Sequence, residues 1–246
     1  VWLNHPHNPS GAVMSLPDLE DAVALCRERD ILLACDETYT DIYHTDPPHS
    51  VLECGTEGVV ALYSLSKRSG MTGYRSGFLA GDPRWMSIVG ELRTNLGVAP
   101  QDFVNAGATV AWADDDHAAE RCEIFTEKRA LMHAFLDSTG HQVAPSQATF
   151  YVWFRAPDGH DDQSYAKLLL QAGIVVVPGR MLGSTRAGHG WLRLALVPDI
   201  AGCQAAIEAF LDHALREEFL RPHHRALLRV EADYRQPRPP RQSATP

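Results

Sequence analysis

Two short runs, Ile31-Leu32-Leu33-Ala34-Cys35 and Val59-Val60-Ala61-Leu62-Tyr63, are apolar without interruption, and each ends abruptly in polar side chains. An amphipathic strand alternates. A continuous apolar run of this length suits a parallel strand covered on both faces. Parallel strands need crossover connections, and the sequence supplies one. Ser15-Leu16-Pro17-Asp18 has the pattern of a helix start, with Ser as N-cap, Pro early and an acid three residues on. Leu19, Ala22, Val23 and Cys26 then recur at helical spacing, and the pattern ends near Asp30. Val1 to Asn4 reads as a further strand, followed by a turn over His5–Gly11, and Ser76–Gly81 as another. Strand, helix, strand, loop, strand is an α/β order.

Beyond it the pattern predicts helices near 83–96, 100–113 and 117–138. The composition then shifts. Ala148–Phe154 is β-rich, a helix is expected near 162–172, apolar segments cover Ile174–Gly179 and Gly190–Val197, and a last helix spans about 199–215. The reading is therefore a first region over 1–113, a smaller α+β region over 114–215, and a tail over 216–246. The tail is rich in Pro and carries seven Arg against four acids, a composition that reads as disordered. Val1 already lies in a strand pattern, so the sequence is expected to start inside a longer protein.

Composition removes several functions. A net charge of −9 leaves no broad basic surface for nucleic acid. No apolar run approaches the ~18 residues of a membrane helix. The five Cys form no CxxC pair and read as buried thiols of a reducing, cytoplasmic setting. Asp114-Asp115-Asp116-His117 has metal-ligand chemistry, but acids opening a helix are favoured by its dipole, and no metal is expected.

The polar residues at the strand ends carry the chemistry. The second run leads into Ser64-Leu65-Ser66-Lys67, with Arg75 eight residues after the lysine. The chain has 22 basic residues of which only Lys67, Lys128 and Lys167 are Lys. Arg cannot be deprotonated and Lys can, and a Schiff base requires the neutral amine. The first run leads into Asp36-Glu37-Thr38-Tyr39, and the opening strand into Asn8. If these strands are parallel, their carboxyl ends share one edge of the sheet, where open α/β sheets bind ligands. That edge suits a ligand with a phosphate, a basic ring nitrogen, a phenolic oxygen and an aldehyde. Pyridoxal phosphate has all four.

Asn8-Pro9-Ser10-Gly11, Asp36-Glu37-Thr38-Tyr39, Ser64-Leu65-Ser66-Lys67 with Arg75, and Trp191-Leu192-Arg193 occur in the order and at the separations of one family. Over about residues 1–215 the chain resembles a class I/II aminotransferase of the fold type I pyridoxal-phosphate superfamily. The resemblance implies part of a large-domain mixed, mostly parallel sheet with helices on both faces, plus a C-terminal α+β small domain. It implies Lys67 as the Schiff-base lysine that also shuttles the substrate proton. Asp36 would pair with the ring nitrogen, Tyr39 and Asn8 with the phenolic oxygen, and Ser64, Ser66 and Arg75 with the phosphate. Arg193 would clamp the substrate α-carboxylate, with Asn8 near it and Trp191 as packing. The implied reaction moves an amino group between an amino acid and a 2-oxo acid, in a homodimer. Ser66-Lys67-Arg68-Ser69 and Arg75–Asp82 look most like the succinyldiaminopimelate aminotransferase group, which uses glutamate as donor.

Ser64-Leu65-Ser66-Lys67 also satisfies the S-x-x-K pattern of serine acyl-enzymes. The partner motifs S-D-N and K-T-G are absent, since the lysines are followed by Arg, Arg and Leu. A β-lyase, a decarboxylase or a ligand-sensing regulator would use the same fold; Arg193 argues for a retained α-carboxylate. The family's upstream segment is not in the sequence, so an inactive fragment or half of a split enzyme is the remaining alternative. On that reading the 246 residues alone bind cofactor poorly and transaminate little.

Overall fold

The computed structural model describes residues 1–96 and 99–217, with side chains through 212. It consists of two compact units, Val1–Arg129 with Ala144–Trp153, and Ala130–Val143 with the chain from Phe154 on. The division runs through the long helix α5 (Asp116–Ser138).

The first unit holds a four-stranded sheet, β1 (Trp2–Asn4), β2 (Leu33–Asp36), β3 (Val59–Ser64) and β4 (Gly77–Gly81), in that spatial order. β1, β2 and β3 are parallel, and β4 runs antiparallel to β3. Helix α1 (Leu16–Glu28) connects β1 to β2. Its start is the expected one: the Ser15 side chain accepts from the Asp18 amide, and Asp18 reaches back to the Ser15 amide. Val23 and Cys26 of α1 pack on Leu33 and Cys35 of β2 and on Val59 and Ala61 of β3. β2 alternates buried and half-buried residues, so its second face is covered less completely than the uninterrupted apolar run suggests.

β3 does not run into a plain loop. One turn of helix, α2 (Leu65–Arg68), follows at once, because the Ser64 hydroxyl accepts from the Ser66 amide and caps it. The chain returns through β4 into α3 (Pro83–Asn95), α4 (Asp102–Ala113) and α5. Tyr63 of β3 stacks on Phe78 of β4 at 4.7 Å, and Phe78 meets Trp112 of α4 edge-on at 4.7 Å. α3 buries none of its residues; Trp85, Ile88 and Leu92 are exposed.

The expected strand over Ala148–Phe154 is shorter and later, β5 (Tyr151–Arg155). Thr149 sits at φ 71°, in the left-handed region that a strand cannot pass through, and Ala148 makes only an isolated bridge to Tyr43. In the second unit β6 (Val177–Pro178) and β7 (Trp191–Ala195) pair antiparallel, with Val177 opposite Arg193, in a sheet of order β5-β7-β6. Helices α6 (Asp162–Gln171) and α7 (Ile200–Glu217) flank it. The first two residues of the basic segment belong to α7; the rest of the predicted disordered tail lies outside the described residues. Phe135 and Phe210 pack edge to face at 5.1 Å in its core. His141 is buried there between the Thr139 and Tyr165 hydroxyls, each 2.7 Å away. No helix among the described residues is long and apolar enough to cross a membrane.

Asp162 opens α6 and is fully buried. It accepts from the Arg180 amide and guanidinium and from the Gly190 amide, so it pins both ends of the segment that leads into β7. Burial alone would raise its pKa; the Arg180 and Gly190 donors outweigh that and hold the carboxyl below the usual carboxylate range.

Two outcomes follow from these contacts. A folded-state pKa below the unfolded one stabilises above the unfolded value, about pH 4, and that contribution disappears as pH falls further. Urea titrations at stepped pH should show this acid loss in the parent chain and a flatter limb in Asp162→Asn. Gly81 sits at φ 152°, where an added Cβ would lie 2.1 Å from the Val59 carbonyl oxygen. Gly81→Ala should lower the urea-unfolding free energy by about 2 kcal/mol or more; a change under about 0.5 kcal/mol would contradict the packing described.

Candidate functional site

The register of the parallel strands brings their carboxyl ends together. Asn4 lies opposite Asp36, and Asp36 opposite Leu62, two residues before Ser64. The turn after β1 is built onto this edge. Asn4 accepts from the Asn8 amide through Oδ1 at 2.7 Å and donates from Nδ2 to the Asp36 carbonyl at 3.3 Å. The His5 amide donates to the same carbonyl at 3.0 Å. The buried His5 ring accepts from the Met14 amide at Nδ1, so Nε2 carries the proton given to the His49 carbonyl. Burial lowers its pKa and favours that neutral form. Gly11 closes the turn at φ 70°, where a Cβ would lie 2.1 Å from Ser146 Oγ and 2.4 Å from the Ala148 carbonyl oxygen.

Asn8 Nδ2 donates to the Tyr39 hydroxyl at 3.5 Å, and the Tyr39 and Tyr151 hydroxyls are 3.0 Å apart. Asp36 accepts at Oδ1 from the Thr38 amide and hydroxyl, at 3.2 and 2.6 Å, which leaves Oδ2 for another donor. Glu37, on the opposite side of the backbone, is buried and accepts from the Val51 amide and the Tyr63 hydroxyl, both at 2.6 Å. Burial and the Glu37 carboxylate push the Tyr63 phenol above its ordinary range. This pair ties the Asp36 turn to β3 from below.

At the end of β3, Ser66 Oγ accepts from Arg75 Nη1 at 3.5 Å, and Thr72 Oγ1 donates to the Ser66 carbonyl at 3.0 Å. Arg75 adopts φ 54°, the left-handed conformation that folds its side chain back over this loop. The Lys67 amine lies 5.2 Å from the centre of the Phe150 ring. Among the described residues neither Lys67 nor Arg75 is paired with a carboxylate.

The first unit thus holds Asn8, Asp36, Tyr39, Ser64, Ser66, Lys67 and Arg75 on or beside one sheet edge. Arg193 belongs to the second unit, half-buried on β7 beside the fully buried Leu192. Asn4, Thr38, Phe150 and Tyr151 also contribute and were not singled out from sequence. Thr38, two residues after Asp36, fits a local side-chain turn and was readable; Phe150 reaches Lys67 from 83 residues away and Tyr151 reaches Tyr39 from 112, and neither was readable. The Asp114–His117 cluster is engaged otherwise. Asp114 Oδ1 accepts from the first amides of α5, and Asp115 pairs with Arg68.

The donor set matches the functional groups of pyridoxal phosphate one by one. Arg75 and Ser66 offer cation and hydroxyl to a phosphate, with no carboxylate paired to Arg75 among the described residues. Asp36 offers a free carboxylate oxygen to a basic nitrogen, Tyr39 and Asn8 offer donors to a phenolate, and Lys67 an amine to an aldehyde. The residues present fit the group.

The profile of the aminotransferase class I and II family matches residues 1–210. The chain is 34% identical over 213 residues to the LL-diaminopimelate aminotransferase of Nitratidesulfovibrio vulgaris (strain DP4), covering 84% of this chain and 54% of that protein. It is 34% identical over 200 residues to the 4-dedimethylamino-4-oxo-anhydrotetracycline transaminase OxyQ of Streptomyces rimosus, covering 79% and 55%. Among solved structures, a probable N-succinyldiaminopimelate aminotransferase from Thermus thermophilus superposes with a TM-score of 0.78 at 28% identity, over 86% of this chain and 58% of that one. An aminotransferase from Neisseria meningitidis Z2491 superposes with the same TM-score at 33% identity, over 87% and 57%. The chain spans about half the length of the curated relatives it matches. Class I and II aminotransferases use pyridoxal 5'-phosphate. With its mixed, mostly parallel sheet and three of its four motifs at one sheet edge, the chain belongs to the aminotransferase class I and II family.

Proposed function

We propose that this chain carries the cofactor-binding and amine-bearing part of a pyridoxal-phosphate-dependent aminotransferase. The observation that carries the reading is the shared edge of β1, β2 and β3. It sets a carboxylate, an amide–phenol pair, an amine and a guanidinium–serine pair within one unit. When bound, the cofactor supplies an electrophilic aldehyde carbon and an electron-withdrawing ring. The chain's own residues do the rest. Arg75 and Ser66 hold the phosphate through charge-assisted hydrogen bonds, with Ser64 beside them. Asp36 Oδ2 keeps a proton on the ring nitrogen, because a carboxylate favours the cationic form of a neighbouring base. Tyr39 and Asn8 orient the phenolic oxygen. Lys67 Nζ, flanked by the Phe150 ring and unpaired with any described carboxylate, is free to attach and to take up or return the proton of the substrate α-carbon.

Arg193 is assigned to the substrate α-carboxylate, which Arg binds in a planar, bidentate fork. The substrates are an amino acid and a 2-oxo acid. The names of the relatives favour a diaminopimelate-type amino acid, succinylated or free; glutamate is proposed as its partner. Residues 1–113 are assigned to the large cofactor-binding domain and 114–215 to the small one. The working protein is proposed to be a cytoplasmic homodimer.

Incubation of the chain with excess pyridoxal phosphate, borohydride reduction and peptide mass analysis should place the pyridoxyl group on Lys67. Label on Lys128 or Lys167 instead would overturn the assignment. In the labelled series Arg75→Ala should raise the cofactor concentration for half-labelling by at least about tenfold, the loss of one charged hydrogen-bond donor.

A further inference from the structure

α2 has only four residues, and an isolated helical turn has almost no stability of its own. Lys67 sits inside it. Its side chain makes no hydrogen bond to a described residue, and its amine lies over the face of Phe150. The aim of its amine therefore depends on what fixes the backbone of the turn.

The next residue, Arg68, is 6% exposed. Its Nη1 donates to Asp41 Oδ1 at 2.6 Å, on the turn that continues Asp36-Glu37-Thr38-Tyr39. Its Nη2 donates to Asp115 Oδ1 at 2.5 Å and to the Asp114 carbonyl at 3.1 Å, at the start of α5. Its guanidinium lies over the Trp112 ring, 5.4 Å from the centre. From α5, Arg121 Nε donates back to the Arg68 carbonyl at 3.1 Å. His117 completes the arrangement, with Nε2 2.8 Å from Ser69 Oγ and Nδ1 3.1 Å from Asp114 Oδ2. Burial pushes the Asp41 carboxyl up, and Arg68 opposes that push.

We infer that Arg68 is a positioning residue for Lys67: it clamps the lysine-bearing turn between the Asp41 turn and the first residues of α5. The Asp114–His117 cluster is the fixed end of that clamp. A lysine at 68 would keep the charge but could not span Asp41, Asp115 and the Asp114 carbonyl at once. The inference rests on the proposed function for the role of Lys67, but the clamp itself is a statement about the free chain.

The test exploits the scarcity of amines. Purified parent chain, Arg68→Lys, Asp115→Ala and Asp115→Glu are pulsed with limiting acetic anhydride, and modification of Lys67, Lys128 and Lys167 is followed peptide by peptide. Arg68→Lys should speed Lys67 modification about tenfold, the freedom gained when a charged hydrogen bond is lost, with Lys128 and Lys167 unchanged. Asp115→Ala should act in the same direction more weakly, and Asp115→Glu should restore the parent rate. Asp115 is 92% exposed and Asp41 stays paired with Arg68 when it is removed, so Asp115→Ala is the milder change and decides the matter if Arg68→Lys does not fold. An unchanged Lys67 rate, or a rise shared by all three lysines, would overturn the clamp. The borohydride label described above reports separately on the role of Lys67. Its failure would remove that reading while the acetylation rates still decide the clamp.

Discussion

The parallel register of β1, β2 and β3 is the constraint on which the site depends. With Asn4 opposite Asp36 and Asp36 opposite Leu62, polar residues that follow three separate apolar segments meet at one edge. A slip of one residue in β2 would exchange the faces of its side chains. Cys35, now fully buried, or Glu37, bound to Val51 and Tyr63, would then take the place of Asp36. The apolar packing of α1 on β2 and β3 forbids that exchange, so the same burial that stabilises the sheet also selects which carboxylate faces the ligand edge.

Charge is distributed unevenly around this edge. Arg68 and Arg75 are the same residue type, seven positions apart, in opposite employment. Arg68 is buried, and its Nη atoms meet two carboxylates and a carbonyl; losing both carboxylates would leave a costly unpaired charge. Arg75 is exposed, and its described partners are a hydroxyl and a carbonyl. A structural cation held by two carboxylates, and a second with no counter-ion among the described residues, is the arrangement expected when only the second must meet an anion from outside.

Much of this was legible in the chain. The uninterrupted apolar runs announced the parallel strands, Ser15 and Asp18 announced α1, and the rarity of lysine drew attention to Lys67. Local signals failed where distant residues decide. The left-handed Thr149 cut the β-rich Ala148–Phe154 segment short. The turn of helix after Ser64 was hidden in a stretch that looks like loop, because four residues carry no helical periodicity. Asp115 and His117, read as a helix start, gave no hint of Arg68 or Ser69, since those pairings cross some 47 residues of chain and are specified only by the packing of α5. Phe150 and Tyr151 reached the site for the same reason.

The row of rings from Tyr63 through Phe78 to Trp112 ends on the Arg68 guanidinium. Phe78 is 43% exposed, and a substitution at so open a position is ordinarily nearly neutral. Here the ring braces Trp112 from the β4 side, and Trp112 lies beneath the guanidinium. Tolerance at this surface position is therefore set by the geometry of a buried ion cluster one ring away. A change of side chain at Phe78 is transmitted through Trp112 to the Arg68 guanidinium.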